Sequence, residues 1–341
     1  MKAYIVLENG QFFEGKRFGA DTDAIGELVF TTTMGSYMET LTDPCYHGQI
    51  VLQTFPLIGN YGVVTKDLQS DKAQVAGYVI RDLCEAPSNF RCEGDLNSFL
   101  KAQGIAGIYG VDTRELTRIL RENGTMTAKI VSEKPESTEM TYAISDAVKA
   151  VATGEVKEYK ADNATRTVAV LSFGATQGIA DVLVKRGLNV CELPYDTAAD
   201  KLLAYDAIVL SAGPGDPAEN TAAIQTVAEL LGKKPMLGIG LGHQILALAA
   251  GAKTEKLKVG HRGANIPVRD LETGRVHITV QNHGYAVACD TLPDTAKLRF
   301  VNANDETCEG VEYEGLKALG VQFQPERAAF VFDKFLEMVG E

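Results

Sequence analysis

The sequence has no tryptophan, no long hydrophobic run and no excess of basic residues. No apolar stretch approaches the roughly 18 residues that a membrane span needs, so we expect no transmembrane helix. Basic residues number 33 against 45 acidic ones, and the resulting net charge of −12 argues against a nucleic-acid partner. Residues 1–15 contain one lysine and no apolar core, so we predict no signal peptide and expect a cytoplasmic protein.

Paired cysteine motifs are also absent. The six cysteines are Cys45, Cys84, Cys92, Cys191, Cys289 and Cys308. None forms a C-x-x-C pair, so a zinc ribbon or a thioredoxin-like site is unsupported and no metal site is predicted. We therefore expect reduced thiols, most of which act as small buried hydrophobic residues.

The composition is that of an ordinary globular protein, and 341 residues correspond to about two domains. In the first part, Lys2–Leu7 is rich in β-forming residues and precedes the turn pair Asn9–Gly10, which predicts a hairpin. A helix is predicted at Asp112–Asn123. Asp112 and Glu115 resemble a capping box at its start, and Gly124 follows its end.

The chain turns polar over residues 133–166, with one possible helix near Met140–Ala152. We expect domains at 1–150 and 167–341, joined by a linker at 151–166. From Thr167 onward strands alternate with helices, which predicts an open, mostly parallel α/β sheet with helices on both faces. The predicted strands are Val168–Leu171, Asn189–Leu193, Asp206–Leu210 and Met236–Ile239, and the predicted helices are Thr176–Arg186, Ala222–Leu231 and His243–Ala250.

The most informative motif lies at a predicted strand-to-helix turn, where Gly238–Gln244 has the sequence Gly-Ile-Gly-Leu-Gly-His-Gln. Hydrolases of the α/β class place a nucleophile at such a turn as G-x-S-x-G or G-x-C-x-G. The frame is complete, but the central Gly240 has no side chain to form a covalent intermediate. Taken alone, the motif is better explained as a plain glycine turn that joins a strand to a helix. A dinucleotide-binding G-x-G-x-x-G motif would need glycine where His243 stands.

Three further segments follow predicted strands. Ser211–Pro217 is a Gly/Pro loop at the sheet edge that usually binds ligands, although a simple turn is an equal alternative. Gln281–Tyr285 offers amide, imidazole and phenol groups on a predicted turn after the strand His277–Val280. Gln322–Glu326 follows the strand Leu319–Val321. In isolation, its Glu326 would be an ordinary surface carboxylate.

Together these segments resemble the class I glutamine amidotransferases, and more closely the small subunit of carbamoyl phosphate synthetase. Gly260–Val268 (GHRGANIPV) fits as well. The stretches typical of that subunit are Phe30–Tyr37 (FTTTMGSY), Leu41–Pro44 (LTDP), Gly48–Val51 (GQIV), Pro56–Gly62 (PLIGNYG) and Val111–Arg118 (VDTRELTR). The resemblance covers nearly the whole chain and implies a β-rich N-terminal domain followed by a class I amidotransferase domain.

The resemblance implies a glutaminase site whose catalytic residues are partly lost. The family's nucleophilic cysteine falls on Gly240 and its histidine on Gln324, whereas its glutamate is retained as Glu326. Backbone N–H groups of Gly213 and Leu241 would form the oxyanion hole. Glutamine contacts would come from Gly215, Gln244, Asn282, Gly284, Tyr285 and Cys45, the last replacing the usual serine. Thr176 and Gly178 replace a lysine and an asparagine that are usual in relatives.

Three hypotheses follow. The first is an inactive small subunit that partners a large synthetase subunit, which would bind ATP and magnesium and supply carbamoyl phosphate for pyrimidine and arginine synthesis. No cofactor is expected in this chain itself. The second is a sensor that binds L-glutamine without turnover. The third is an active glutaminase with a displaced nucleophile such as Cys45, although a serine replacement without catalytic function is the simpler explanation.

Overall fold

A computed structural model of the protein describes residues 1–134 and 139–340, so part of the polar stretch lies outside the described residues. The chain forms two compact units, Met1–Ser145 and Asp146–Glu341. This boundary lies before the predicted linker at 151–166. The difference arises because Lys157–Tyr159 pairs as a strand with Asn189–Pro194 of the second unit.

The first unit is a β-barrel with short helices. Its strands are β1 (Lys2–Leu7), β2 (Phe12–Gly19), β3 (Ala24–Thr31), β4 (Gln49–Gln53), β5 (Leu57–Ile58), β6 (Gly77–Ile80), β7 (Asp82–Leu83), β8 (Ala106–Tyr109) and β9 (Met126–Val131), and its helices are α1 (Tyr37–Thr42), α2 (Leu96–Ala102) and α3 (Thr113–Asn123). Among the described residues, seven strands close the barrel in the order β1-β2-β8-β6-β4-β3-β9, and β5 pairs with β7.

The predicted N-terminal hairpin is confirmed. β1 and β2 pair antiparallel with Val6 opposite Phe12. Gly10 adopts a φ of 91° in the turn, a conformation that glycine tolerates without steric cost. Its N–H donates a hydrogen bond to the carbonyl of Leu7 at 3.0 Å, and this bond closes the turn.

The predicted helix at Asp112–Asn123 is also confirmed, as α3. The Asp112 carboxylate caps it by accepting hydrogen bonds from the backbone N–H groups of Arg114 and Glu115. The reciprocal half of the capping box is not made, because the Glu115 side chain binds Arg118 instead. The apolar side of α3, including Leu116, is buried in the barrel core.

The second unit contains a ten-stranded sheet. Its strands are β10 (Lys157–Tyr159), β11 (Thr167–Ser172), β12 (Asn189–Pro194), β13 (Ala207–Leu210), β14 (Met236–Ile239), β15 (Thr254–Asp270), β16 (Val276–Val287), β17 (Ala296–Asn302), β18 (Cys308–Tyr313) and β19 (Ala318–Val321). Its helices are α4 (Ala147–Val151), α5 (Gln177–Lys185), α6 (Ala199–Leu202), α7 (Thr221–Leu230), α8 (Leu241–Ala249) and α9 (Ala329–Gly340). The strand order is β10-β12-β11-β13-β14-β19-β18-β17-β15-β16.

The predicted open α/β sheet with helices on both faces is confirmed. Strands β12, β11, β13, β14 and β19 run parallel, and antiparallel strands extend the sheet at both edges. Alternate residues of β11 enter opposite cores. Leu171 packs in the core that includes Ile245 of α8, and Val170 packs in the core that includes Phe332 of α9. The sheet is therefore buried on both faces, as parallel sheets generally are.

Two local predictions are wrong. The helix predicted near Met140–Ala152 is limited to α4, because residues before Asp146 carry no helical structure where they are described. Gln281–Tyr285 does not form a turn. These residues continue β16, whose burial alternates along much of its length as in a half-buried strand. Among the described residues, no helix combines the length and hydrophobicity that crossing a bilayer requires.

Candidate active site

The strand-to-helix turn at Gly240 has the geometry of a nucleophile elbow. β14 ends at Ile239 and α8 begins at Leu241, and the single residue between them has φ 55° and ψ −113°. The N–H of Gly240 donates to the carbonyl of Val321 on β19 at 2.9 Å. This conformation is costly for any residue with a side chain, and such strain is typical of catalytic turns.

The two flanking glycines are required by packing. A Cβ placed on Gly242 would lie 2.2 Å from the carbonyl oxygen of Leu210, and one on Gly238 would lie 2.7 Å from the carbonyl oxygen of Gly242. At Gly240 the Cβ would lie 3.2 Å from the Cβ of Ala212. The turn therefore accepts only glycine at positions 238 and 242, whereas position 240 would admit a side chain if Ala212 shifted slightly.

The Gly/Pro loop after β13 packs directly against the elbow. The N–H of Gly242 donates to the carbonyl of Ser211 at 3.1 Å, and the Ser211 hydroxyl accepts a hydrogen bond from the N–H of Phe173 at 2.9 Å. A Cβ on Gly213 would lie 2.9 Å from Cδ2 of Leu241. The structure thus brings together the two residues predicted to form an oxyanion hole.

Gly215 lies further along the same loop with a φ of 87°. A Cβ there would lie 3.0 Å from the Cβ of Ala147, so α4 covers this part of the loop. The predicted glutamine contact therefore sits where the loop turns towards α4. Its role stays a prediction.

Two of the residues predicted to contact glutamine, Gln244 and Tyr285, are hydrogen-bonded to each other. The side-chain amide of Gln244 on α8 is buried and donates to the carbonyl of Tyr285 at 2.6 Å and to Oε1 of Gln322 at 2.9 Å. Asn282 and Gly284 lie with Tyr285 on β16. Asn282 is opposite Arg262 of β15 in the strand register. Gln244 therefore joins the elbow helix to the strand that carries the other predicted contacts.

Gln324 and Glu326 follow β19 on the other side of the elbow. The N–H of Gln324 donates to the carbonyl of Val280 on β16 at 2.9 Å, which fixes the backbone at the predicted histidine position. Glu326 is in the short 3-10 turn Pro325–Arg327. A Cβ on Gly178 of α5 would lie 3.6 Å from Cγ of Glu326. Gly178, which the resemblance marks as a departure from the family, thus lies beside Glu326, the predicted glutamate of the site.

Cys45 belongs to the first unit. It lies in the 3-10 turn Pro44–Tyr46, is 7% exposed, and its N–H donates to Oδ1 of Asp43 at 2.9 Å. A reactive cysteine is normally accessible and in an electropositive setting. The burial of Cys45 fits a side chain that fills space in the barrel unit.

A buried polar network near the site was missed by the sequence analysis. Glu309 is fully buried in β18, and its carboxylate accepts hydrogen bonds from the side-chain amides of Gln281 and Asn302. Nδ1 of His261 lies 3.4 Å from the same carboxylate, and Nε2 of His261 lies 2.8 Å from Asp305. The sequence gives no signal for Glu309, because a single glutamate in a strand normally faces solvent.

The surroundings shift the pKa values of the two histidines of this network in opposite directions. Burial alone would lower the pKa of His261, but its hydrogen bonds to Glu309 and Asp305 outweigh burial and raise that pKa. Burial holds the pKa of His283 well below its usual range. His283 is held by the carbonyl of Tyr285 at 2.8 Å and the side chain of Gln281 at 3.0 Å. The network orients the β16 segment that carries Asn282.

One group of side chains has the composition of a metal site. Ligand atoms of His261, His283 and Glu309 all lie within 4.8 Å of one another. Each of these side chains already has protein hydrogen-bond partners, so the network accounts for their burial without an ion. The arrangement therefore fits a structural role.

Comparison with known proteins agrees with this geometry. The family model described as "Carbamoyl-phosphate synthase small chain, CPSase domain" matches residues 5–130, and the model "Glutamine amidotransferase class-I" matches residues 169–337. The chain is 45% identical to the carbamoyl phosphate synthase small chain of Clostridium perfringens, with 99% of each chain covered. It is 43% identical to the protein of that name from Archaeoglobus fulgidus, covering 100% of this chain and 99% of that one.

A third relative of that name, from Fusobacterium nucleatum, is 42% identical over 98% of this chain and 97% of its own length. The matches span both units and include the elbow, the Gly/Pro loop and β16. The resemblance seen in the sequence motifs is therefore confirmed over the full length of the chain. This protein belongs to the family of carbamoyl phosphate synthase small chains.

Proposed function

We propose that this chain is a small chain without glutaminase activity, which acts as the non-hydrolytic partner of a large synthetase subunit. The relatives named as small chains support a large partner, and their match over the whole length supports a retained docking role. In this proposal the large subunit uses free ammonia, binds ATP and magnesium itself, and makes carbamoyl phosphate in the cytoplasm for pyrimidine and arginine synthesis.

The observation that carries the proposal is Gly240 at the tip of the elbow. Hydrolysis of the glutamine amide needs a nucleophile that attacks the carbonyl carbon and forms an acyl intermediate. The resemblance assigns the nucleophile to residue 240, the elbow geometry of φ 55° and ψ −113° supports that assignment, and glycine supplies no side-chain atom for the attack. The adjoining N–H groups of Gly213 and Leu241 could still bind a carbonyl oxygen, but they have no covalent step to assist.

The proton-transfer group is missing as well. A thiol nucleophile needs a neighbouring base, and an imidazole must return the proton to the leaving ammonia. Gln324 has an amide side chain, which neither accepts nor releases a proton near neutral pH. The retained Glu326 would only orient an imidazole, so it has no catalytic use at this site.

The decisive assay is ammonia release from glutamine by the purified chain, alone and with the large subunit of the same organism. We expect a rate equal to the protein-free control, while the two-subunit complex makes carbamoyl phosphate from ammonium but not from glutamine. Glutamine-dependent synthesis would refute the proposal. If the large subunit does not bind the chain at all, the docking role is refuted and the loss of hydrolysis stands alone.

A second function, glutamine binding without turnover, is favoured by one observation. Nε2 of Gln322 is buried and has no hydrogen-bond partner within the described residues, whereas Oε1 of the same side chain accepts a hydrogen bond from Gln244. A buried amide donor of this kind gains by meeting a carbonyl or carboxylate oxygen. Titration calorimetry with L-glutamine tests this, with Gln322→Leu as the variant that should lose affinity and D-glutamine as the ligand control.

An active glutaminase that uses Cys45 is the third candidate. Its test is the same ammonia assay on Cys45→Ser, with Cys84→Ser as a matched thiol control. Any release that disappears only in Cys45→Ser would establish this function and overturn the proposal. Release that both variants retain would exclude Cys45 as the nucleophile.

A further inference from the structure

The network of His261, His283 and Glu309 joins three strands of the second unit. His261 of β15 lies opposite His283 in the ladder with β16, and their rings cross at 85° with centroids 5.0 Å apart. Glu309 of β18 is fully buried, and its Oε1 lies 3.4 Å from Nδ1 of His261. One potential ligand atom from each side chain lies within 4.8 Å of the other two. Hydrogen bonds account for the burial of this network, but His283 has too few protons for the oxygens around it.

His283 lies between two hydrogen-bond acceptors. Its Nδ1 is 2.8 Å from the carbonyl oxygen of Tyr285, and its Nε2 is 3.0 Å from Oε1 of Gln281. Burial holds the pKa of His283 well below its usual range, so the imidazole is neutral and has one N–H for these two oxygens. One nitrogen lone pair therefore faces an oxygen lone pair at hydrogen-bond distance.

Reversing the Gln281 amide would only move this mismatch to another place. Its Nε2 donates to Oε2 of Glu309 at 2.9 Å and to Oγ1 of Thr279 at 3.0 Å. In the reverse orientation the amide oxygen would face the Glu309 carboxylate, so two acceptors would meet there. A positive ion bonded to Nε2 of His283 would instead attract the oxygens of both Gln281 and Glu309.

The outer hydrogen bonds of the two histidines are those that metal-bound histidines normally make. A histidine ligand usually donates its other ring N–H to a carboxylate or a backbone carbonyl, which fixes the orientation of the ring. Nε2 of His261 lies 2.8 Å from Oδ2 of Asp305, which leaves Nδ1 on the side of Glu309. Nδ1 of His283 faces the Tyr285 carbonyl, which leaves Nε2 for a metal. Both rings are therefore already held as ligands would be.

The spacing and the chemistry of the three groups suit zinc. Zinc binds histidine nitrogen and carboxylate oxygen at about 2.0–2.2 Å, so two atoms bound to one tetrahedral ion lie about 3.3–3.5 Å apart. The 3.4 Å between His261 and Glu309 matches this value, and separations of up to 4.8 Å to His283 would shorten by about 1.5 Å or less. Because the side chain of His261 is 14% exposed and that of Glu309 is fully buried, the site has little room for the extra waters of an octahedral ion.

The local charge also favours a divalent cation. The carboxylates of Asp305 and Glu309 both lie against His261, and the half-exposed Asp305 gives the ion a path from solvent. The guanidinium of Arg262 also acts on His283 and opposes a cation, but the two carboxylates outnumber it. We propose that His261, His283 and Glu309 bind one zinc ion, with water as the fourth ligand, as a structural ion that fastens β15, β16 and β18 together. This inference does not depend on the proposed function.

The first experiment titrates zinc into the full chain, which is reduced and freed of metal with a chelator, in competition with a chromophoric zinc indicator. It is done at pH 8, because protons compete with the metal for His261, whose pKa is raised. We expect one equivalent to bind, loss of this binding in His261→Asn and Glu309→Gln, and an affinity lower by about tenfold to a hundredfold in Asp305→Asn. His277→Asn, which changes a β16 histidine outside the cluster, should bind zinc as the wild type does.

Asp305→Asn keeps the test decisive even if the buried Glu309→Gln fails to fold, because the Asp305 side chain is 48% exposed. Zinc binding that is unchanged in both His261→Asn and Asp305→Asn would overturn the inference. So would the absence of binding to the wild-type chain at micromolar zinc.

The second experiment replaces zinc by cobalt(II), whose absorption spectrum reports the atoms bound to it. We expect the intense visible bands of a four-coordinate ion held by nitrogen and oxygen, and we expect His261→Asn to lose them. The six cysteines of the chain are the competing ligands. Sulfur-to-cobalt charge-transfer bands would place the ion on thiols and refute the site, as would a weak six-coordinate spectrum that His261→Asn leaves unchanged.

Discussion

Replacing Gly240 by alanine would measure how much strain the elbow carries. The substitution has two separate costs. A side chain at φ 55° and ψ −113° costs about 1–3 kcal/mol, and a Cβ at 3.2 Å from that of Ala212 adds about 1 kcal/mol of overpacking. We therefore expect Gly240→Ala to lower the free energy of unfolding of the second unit by about 2–4 kcal/mol, a large share of a typical 5–15 kcal/mol.

Two glycines of the same unit separate these costs. Gly251 has a φ of 96°, and no atom lies within 4 Å of the position that an added Cβ would take, so Gly251→Ala reports the backbone cost alone. Gly154 has open space and no positive φ, so Gly154→Ala should change stability by less than about 1 kcal/mol, in either direction. The double variant Gly240→Ala with Ala212→Gly should recover only the part due to the contact.

Urea unfolding followed by far-UV circular dichroism is the suitable assay, because the chain has no tryptophan to report by fluorescence. The two units can unfold separately, and Val227→Ala in the core of the second unit identifies the relevant transition. Gly240→Ala with wild-type stability would refute the strained elbow. It would also remove the geometric support for residue 240 as a nucleophile position.

Three further predictions concern stability. Asp112→Ala should lower the free energy of unfolding of the first unit by about 1 kcal/mol through loss of the α3 cap, whereas Asp82→Ala on the exposed edge should change it by less than half of that, as measured by urea unfolding. The fold raises the pKa of His261, so its protonated side chain contributes to the free energy of unfolding. This contribution is complete below pH 6.5 and is lost as the pH rises through the raised pKa of the folded state. The difference in unfolding free energy between wild type and His261→Asn should therefore be larger at pH 6 than at pH 9. The fold lowers the pKa of His243 to about 3, so stability should fall as pH drops from 6.5 towards 3 by up to about 1.4 kcal/mol per pH unit, and a plot of unfolding free energy against pH should be shallower in His243→Asn. An equal slope in the two proteins would contradict the neutral buried state of His243.

Strong local periodicity made much of the second unit predictable. Strands β11 to β14 and helices α5, α7 and α8 were each located to within about two residues at either end, because short apolar strands alternate there with amphipathic helices. The elbow was predictable for the same reason, since its glycines fall between a buried strand and an apolar helix. Whether the predicted site residues bind glutamine is a matter for the assays above.

Other features have no local signal. Gln281–Tyr285 looks like a turn because Asn and Gly interrupt the apolar pattern, yet ladder pairing with β15 keeps the segment extended. The helix α9 went unpredicted although Phe332 and Phe335 are fully buried, because its apolar residues gain their core only from the folded sheet.

The steric demands at Gly238 and Gly242 have a consequence for how such sites are recognised and lost. Their missing Cβ atoms make room for backbone carbonyls less than 3 Å away, so the strand and helix can cross here only if both positions remain glycine. That demand comes from folding and is the same whether or not the site carries out a reaction. A sequence pattern built on these two glycines thus reports the crossing of two backbones, and it does not by itself report the side chains that hydrolysis would need.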